Sequence, residues 1–343
     1  FLIFHFIPMS IKKGLPIIIF IAAAVAGLFI FGLSQYQNLD ISIYRNGEIS
    51  KSRNVDISKF RDSASSTITL LAVGDIMLSR GVQYKIETQG QGDFLFPFLK
   101  IAPELSKADI VFGNLEGPIS EKGQRVGSIY SFRAKPEVMA GLVFVGFDVL
   151  SLANNHMFDY QRISLEETMR LLTAADIDYV GAGYNQAEAF SLKIKEVKGV
   201  KIGFLSYTDL GSASWQAGET LSGIAWIDET WLEKIKRDIA DSKRKTDILI
   251  VSLHSGEEYA QDPTAFQISF AKDCVDSGAD LVVEHHSHTL QRLEQYKDGW
   301  VAYCLGNFVF DQYFPEDTMQ GGLLRVEIKN KKIISASLRK VQL

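Results

Sequence analysis

The chain has 343 residues, of which 46% are apolar and 22% charged, an ordinary balance for a globular protein and enough for one large domain or two small ones. The formal net charge of −5 gives no basic footprint, which argues against nucleic acid as a partner. The two cysteines, Cys274 and Cys304, lack the paired spacing that zinc or redox motifs need.

Phe1 opens the chain, but Met9-Ser10-Ile11-Lys12-Lys13 has the character of a natural start, so residues 1–8 read as an extension outside the fold. Residues 1–13 form a short N-terminal segment. Gly14 to Leu33 carries no charge and matches the roughly 20 residues needed to cross a hydrocarbon core. Lys12 and Lys13 precede it, and the positive-inside bias then places the rest of the chain outside the cytoplasm. Ala24-Val25-Ala26 resembles a signal-peptide cleavage site, yet the apolar run continues to Phe31 and Leu33. We therefore expect an uncleaved, single-pass transmembrane anchor at 14–33, followed by a polar linker at 34–67.

From Ile68 the pattern changes to short apolar runs rich in β-branched residues, which predict strands. They are Ile68–Val73, Ile110–Phe112, Val149–Leu152, Tyr179–Val180, Lys201–Tyr207, Ile248–Leu253, Leu281–Val283 and Val301–Cys304. Helical spacing lies between several of them. Ser164–Ala174 carries Leu165, Met169 and Leu172 on one face, Thr230–Ser242 carries Trp231, Ile235 and Ile239, and Thr264–Ser277 carries Phe266, Phe270 and Cys274. Strands alternating with helices predict an α/β fold. The last stretch, Gly322–Leu343, predicts a β-hairpin turning at Lys329-Asn330-Lys331-Lys332. No internal repeat or second boundary interrupts 68–343, so these residues form one domain. Cys274 and Cys304 both lie in apolar segments, as buried free thiols or as a pair formed outside the cytoplasm.

Polar groups follow the apolar runs with regularity. Gly74-Asp75 follows the first, Asn114 and Glu116 the second, and Asn154, Asn155 and His156 the third. His254, Ser255, Glu257 and Glu258 follow Ile248–Leu253. The tetrad His285-His286-Ser287-His288 and Gly306-Asn307 follow the last two. Five of the six histidines thus sit at strand ends. In open α/β sheets such ends converge on a ligand site. Asp75 and Glu116 supply anionic oxygen, Asn114 and Asn155 neutral carbonyls, and His156, His254, His286 and His288 nitrogen. Mixed oxygen and nitrogen donors suit manganese, iron or zinc. Each residue alone has a plainer reading: Asp75 as a turn cap, Asn154, Asn155 and Asn307 as turn residues, Glu257 as a solvated charge. The joint pattern is what predicts a site. GxGxxG, P-loop and GxSxG motifs are absent.

In this order the segments resemble the CapA family of capsule-synthesis proteins, named for poly-γ-glutamate capsules. The matching pieces are Ala72–Leu78, Gly113–Pro118, Leu152–His156 with Asp159, His254–Tyr259, the tetrad with Gln291, and Leu305–Asp311. The resemblance implies a branch of the calcineurin-like metallophosphatases, with a two-sheet sandwich flanked by helices and a site for two divalent ions. It implies Asp75, Asn114, Glu116, Asn155, His254, His286 and His288 as metal residues, with His285, Glu257 and Asn307 as possible additions. His156, with Asp159 and Asn154, would carry the catalytic role. The sequence departs from the pattern at four places. Met77 stands where the metallophosphatase motif would need His, Ser255 where Trp is usual, Glu284 where Gly is usual, and Ser287 where Pro is usual. The expectation is a membrane-anchored extracytoplasmic protein of capsule or envelope-polymer synthesis, working on the polymer alongside other capsule-synthesis membrane proteins. The alternatives are a metal-dependent phosphoesterase with another substrate and a non-catalytic binding subunit of a polymer synthase.

Overall fold

The computed structural model describes residues 66–342. The expected anchor at 14–33 lies outside the described residues, as does nearly all of the linker. Among the described residues no helix is long and apolar enough to cross a membrane.

In chain order the elements are β1 (Ile68–Ile76), α1 (Arg80–Thr88), α2 (Ala102–Leu105), β2 (Ile110–Leu115), α3 (Met139–Val145), β3 (Val149–Ser151), α4 (Gln161–Ala174), β4 (Asp178–Val180), β5 (Ala182–Gly183), α5 (Gln186–Ala189), β6 (Lys193–Val197), β7 (Val200–Thr208), β8 (Gly223–Ile224), α6 (Leu232–Lys243), β9 (Ile248–His254), α7 (Ala265–Asp276), β10 (Leu281–His285), β11 (Leu293–Tyr296), β12 (Gly299–Ala302), β13 (Asn307–Val309), β14 (Gln320–Lys329) and β15 (Lys332–Gln342). They build two large sheets. The first runs β15-β14-β1-β2-β3-β4, with β13 also paired to β1. Strands β1 to β4 are parallel, and β14 closes on β1 antiparallel. The second runs β11-β12-β10-β9-β7-β6, with four parallel inner strands and an antiparallel strand at each edge. A small pair, β5 and β8, stands apart.

Side-chain alternation explains how the sheets pack. Leu70, Ala72, Phe112 and Val149 of the first sheet meet Phe204, Ile250, Leu281 and Val283 of the second in one buried cluster. Phe112 and Phe204 stack across it with ring centroids 5.6 Å apart. The intervening residues of the second sheet, Leu205, Val251 and Val282, face outward onto Ile235 and Ile239 of α6 and Phe270 and Cys274 of α7. Helix α4, the crossover from β3 to β4, buries Leu165, Met169 and Leu172. Strands covered on both faces read as unbroken apolar runs, which is why these were visible in the sequence. The expected two-sheet sandwich flanked by helices is what the domain adopts.

Differences from the expectation fall at the margins. Edge strands β6 and β11 are half-exposed and mix charges with apolar residues, so no apolar run marks them. Helices α1 and α3 lie in segments assigned no element. Asn307, read as following a strand, instead begins β13, which runs parallel to β1. The C-terminal hairpin forms as expected, with Asn330 and Lys331 at φ 51° and 62°, the left-handed geometry of a tight two-residue turn. Cys274 and Cys304 are buried and unpaired.

Candidate metal centre

The carboxyl ends of the parallel strands carry the polar residues to one edge of the sandwich. Register sets Asp75 of β1 beside Asn114 of β2 on one side and Asn307 of β13 on the other. In the second sheet His254 of β9 stands level with His285 of β10. Gly74 permits the close approach of β13: a Cβ there would lie 1.8 Å from the Gly306 carbonyl oxygen. The Asp75 backbone N–H donates to that same oxygen at 2.9 Å. Past β10 the backbone bends abruptly, with His286 at φ 104° and His288 at φ 57°. Residues held this way cost about 1–3 kcal/mol each and persist only where surrounding structure fixes them.

Asp75, Glu116 and His288 form the tightest group. Each is buried, and each offers a ligand atom within 4.8 Å of the others. Asp75 Oδ1 accepts from Asn114 Nδ2 at 2.8 Å and lies 3.4 Å from His285 Nδ1. Asp75 Oδ2 lies 3.4 Å from His288 Nδ1 and accepts from the His286 backbone N–H at 3.4 Å. Glu116 Oε1 lies 3.7 Å from His288 Nε2 and 3.8 Å from His156 Nε2, with no hydrogen-bond partner. Both ring nitrogens of His285 and Nδ1 of His286 are buried and equally unpartnered.

Burial shifts the carboxyls and imidazoles at this edge in different directions. Burial, then the neighbouring Asp75 charge, pushes the Glu116 carboxyl well above the ordinary range. Burial opposes ionisation of Asp75 too, but the His285 and His288 imidazoles outweigh it and hold that carboxyl well below its usual value. Burial, then His286, drives His254 well down, and burial with His288 takes His286 to about 3. His254 and His286 are therefore neutral near pH 7, as metal ligands must be. Two buried carboxyl groups side by side, neutral imidazoles and a carboxyl oxygen without a hydrogen bond fit a divalent cation, which would offset the charge of the ionised carboxylates that burial disfavours.

The other expected residues divide by role. His156 Nδ1 donates to Asp159 Oδ2 at 2.7 Å, and the ring stacks on Phe132 at 3.9 Å. Asp159 Oδ2 also accepts from the Phe132 backbone N–H at 2.7 Å. A cleft of about 500 Å³ opens over the edge, lined on one side by Asn155, His156, Asp159 and His286 and on the other by residues including Trp215. Asn155 Oδ1 accepts from His254 Nε2 at 2.9 Å. Asn154 is a brace: its Nδ2 donates to the Leu115 carbonyl at 2.8 Å and Asn114 Oδ1 at 3.1 Å, and its Oδ1 accepts from the His156 N–H at 3.1 Å. Asn114 spends its own Nδ2 on Asp75 and reaches Glu116 and His254, each at 3.3 Å. Glu257 stands exposed beyond β9. Glu284 turns away from the tetrad to the helical face, where its Oε2 accepts from Gln267 Nε2 at 2.9 Å. Met77 is buried, and its sulfur accepts from Ser79 N–H and Oγ–H. Phe132 and Trp215 were not singled out in the sequence, because a loop aromatic carries no spacing signal.

A two-sheet α/β sandwich with an acidic and histidine-rich cluster at its strand ends is thus the class of this protein. The family model described as bacterial capsule synthesis protein PGA_cap matches residues 69–312, and the chain belongs to that family. The capsule biosynthesis protein CapA of Bacillus anthracis is 36% identical over 250 residues, covering 71% of this chain and 60% of that protein. The PGA biosynthesis protein CapA of Bacillus subtilis (strain 168) is 32% identical over 260 residues, covering 75% and 67%. The chain therefore spans about 60% of the length of the first of these relatives. Among solved structures, a hypothetical protein from Thermus thermophilus superposes with a TM-score of 0.49 at 14% identity, covering 80% of this chain and 99% of that one. The NAD nucleotidase of Haemophilus influenzae gives 0.45 at 15%, covering 80% and 55%.

Proposed function

We propose that this protein is a membrane-anchored, extracytoplasmic metal-dependent hydrolase or transferase of capsule or poly-γ-glutamate synthesis. The observation that carries the chemistry is the buried group Asp75, Glu116 and His288, with Glu116 Oε1 lacking a hydrogen-bond partner among the described residues. The named CapA relatives support the biological setting. Asp75, Glu116 and His288 would hold one ion, and His254, His286 and Asn155 stand near enough in the same edge to serve a second. A bound divalent ion of the manganese, iron or zinc kind supplies an acidified water and a Lewis acid. His156 is the residue on the cleft side that handles a proton. Asp159 fixes its Nδ1–H, so Nε2 is the exchanging atom. Uncharged Gly14–Leu33 and the Lys12-Lys13 flank support the anchor, and the polymer and other capsule-synthesis membrane proteins are the partners this setting implies.

A non-catalytic polymer-binding role is the second reading. It is favoured by Met77, whose sulfur is engaged by Ser79 at the position where the resemblance needs an imidazole. Metal content after dialysis against trace metal separates these readings when paired with assays on phosphodiester and γ-glutamyl substrates. Wild type should retain metal, Asp75→Asn and His288→Ala should lose most of it, and His156→Ala should keep the metal while losing activity. Metal-free wild type would sink the metal centre; metal without activity on any such substrate would leave the binding role. A reporter fused after Leu343 should be active only outside the cytoplasm, and cytoplasmic activity would refute the anchor's orientation.

A further inference from the structure

Asn307 is fully buried at the start of β13, level with Asp75 in the parallel pair. Its amide has one possible orientation. Nδ2 donates both hydrogens, to Gln312 Oε1 and to the Thr318 carbonyl, each at 3.0 Å. A carbonyl can only accept, and Gln312 has its own amide nitrogen turned to Tyr259 Oη at 3.2 Å, which leaves its Oε1 as the acceptor. Asn307 Oδ1 therefore faces His288, and lies 2.9 Å from Nδ1. An amide oxygen has no hydrogen to give, so His288 Nδ1 donates and Nε2 keeps the lone pair. Nε2 is the atom that faces Glu116 Oε1 at 3.7 Å. The backbone is held as firmly as the side chain: a Cβ at Gly321 would lie 1.8 Å from the Asn307 carbonyl oxygen, so β14 passes directly against it.

We propose that Asn307 is a positioning residue and not a metal ligand: as the nearer of two acceptors beside Nδ1, with Asp75 Oδ2 at 3.4 Å as the other, it locks His288 in the Nδ1–H tautomer and aims the Nε2 lone pair at Glu116. Both of its amide hydrogens are engaged and its oxygen is turned to His288 Nδ1, which sets Asn307 behind the imidazole, on the side away from Glu116. An imidazole ligand whose other nitrogen donates to a fixed acceptor is better oriented and more basic. An aspartate would satisfy His288 but would have nothing to donate to the Thr318 carbonyl and would add a third carboxylate beside Asp75 and Glu116. The tautomer follows from hydrogen bonding alone; its consequence for affinity rests on the metal-centre reading.

The test uses the full chain, solubilised, metal-free and labelled with nitrogen-15 in its histidines. A long-range proton–nitrogen correlation spectrum reports which ring nitrogen of each histidine carries the hydrogen, and loss of one ring in His288→Gln assigns the signal. Wild type should show His288 as Nδ1–H. Asn307→Leu should raise the Nε2–H fraction of that ring, Asn307→Asp should restore Nδ1–H, and an unshifted ring in a folded Asn307→Leu would give the lock to Asp75 and overturn the proposal. Zinc titration should then show Asn307→Leu binding about 10–100-fold more weakly than wild type. A wild-type His288 in the Nε2–H form overturns the proposal even if Asn307→Leu does not fold. So does a shifted tautomer with unchanged zinc affinity. The expected tautomers without zinc binding to wild type would sustain the hydrogen-bond assignment and refute the metal centre instead.

Discussion

Glu116 sits 1% exposed with Asp75 beside it, and its protonation sets how the metal-free protein responds to pH. Burial raises the carboxyls of Glu116 and Glu284 well above the usual 4.5. Each therefore binds its proton more tightly folded than unfolded, and its contribution is lost as pH rises through the folded value. Burial lowers His254 and His286 below 6.5, so their contribution is present above 6.5 and lost as pH falls. Between 4.5 and 6.5 the two pairs oppose each other, so the Glu116 part is read by comparison with a variant that lacks it. As pH rises above 4.5, chelated wild type should lose stability relative to chelated Glu116→Gln, read from the urea midpoints of the two proteins. Glu284 and Asp209, whose carboxyls burial also raises, act alike in both and cancel from the difference. Saturating metal should remove that difference, because the ion offsets the Glu116 charge. Midpoints of wild type and Glu116→Gln that run parallel with pH would refute this account. The residue types of the site were legible in the sequence, since carboxylates and imidazoles at strand ends are unusual together. Their division of labour was not. That Asn154 braces a turn while Asn155 faces His254 depends on one rotation of the backbone, and Glu284 points to the helical side because it alternates with His285 along β10.

At the scale of elements, the sequence showed what burial on both faces makes visible. Strands β7, β9 and β10 are buried along nearly their whole length, and their apolar runs announce them. Helix α7 begins where Thr264 and Gln267 form a capping box, three residues apart as such a box requires. The same Gln267 has a second use that no pattern reveals. Its Oε1 accepts from the Thr264 N–H at 2.9 Å while its Nε2 donates to Glu284, tying the start of α7 to the end of β10 just before the histidines. Helix α1 stayed hidden because only Val82 and Ile86 of its nine residues are buried, too few to mark a face. β13 stayed hidden because three residues of strand, beginning with Asn, look like a turn. Yet β13 is the element that brings Asn307 against Asp75, so part of the candidate site was recoverable only from the fold.

Across the whole molecule, the site is assembled from both ends of the domain, and this makes a prediction about folding. β1 is flanked by β2, its near neighbour in sequence, and by β13 and β14, which come from the far end. Asp75 on β1 is thereby enclosed by Asn114 on one side and Asn307 on the other. The second sheet is similarly divided: β7 and β9 precede residue 280, while β10, β11 and β12 follow it. A chain truncated before Asp280 would lose Leu281, Val283, Ala302, Leu324 and Val326 from the cluster between the sheets. It would also strand β1 and β9 as open edges with exposed apolar faces, which favours aggregation over folding. Removing buried Leu or Ile side chains costs about 2–5 kcal/mol each, against a total domain stability of about 5–15 kcal/mol. Leu281, Leu305, Leu324 and Ile328 together make about 8–20 kcal/mol of such losses, enough to match or exceed the whole margin, so the chain ending at residue 279 should show no cooperative thermal transition and should bind no divalent metal. The full-length chain, carried through the same measurement, should melt in one transition that metal shifts upward. A truncated chain with its own cooperative transition would mean that the N-terminal part folds alone, and the site would then be one formed between two separately folding pieces.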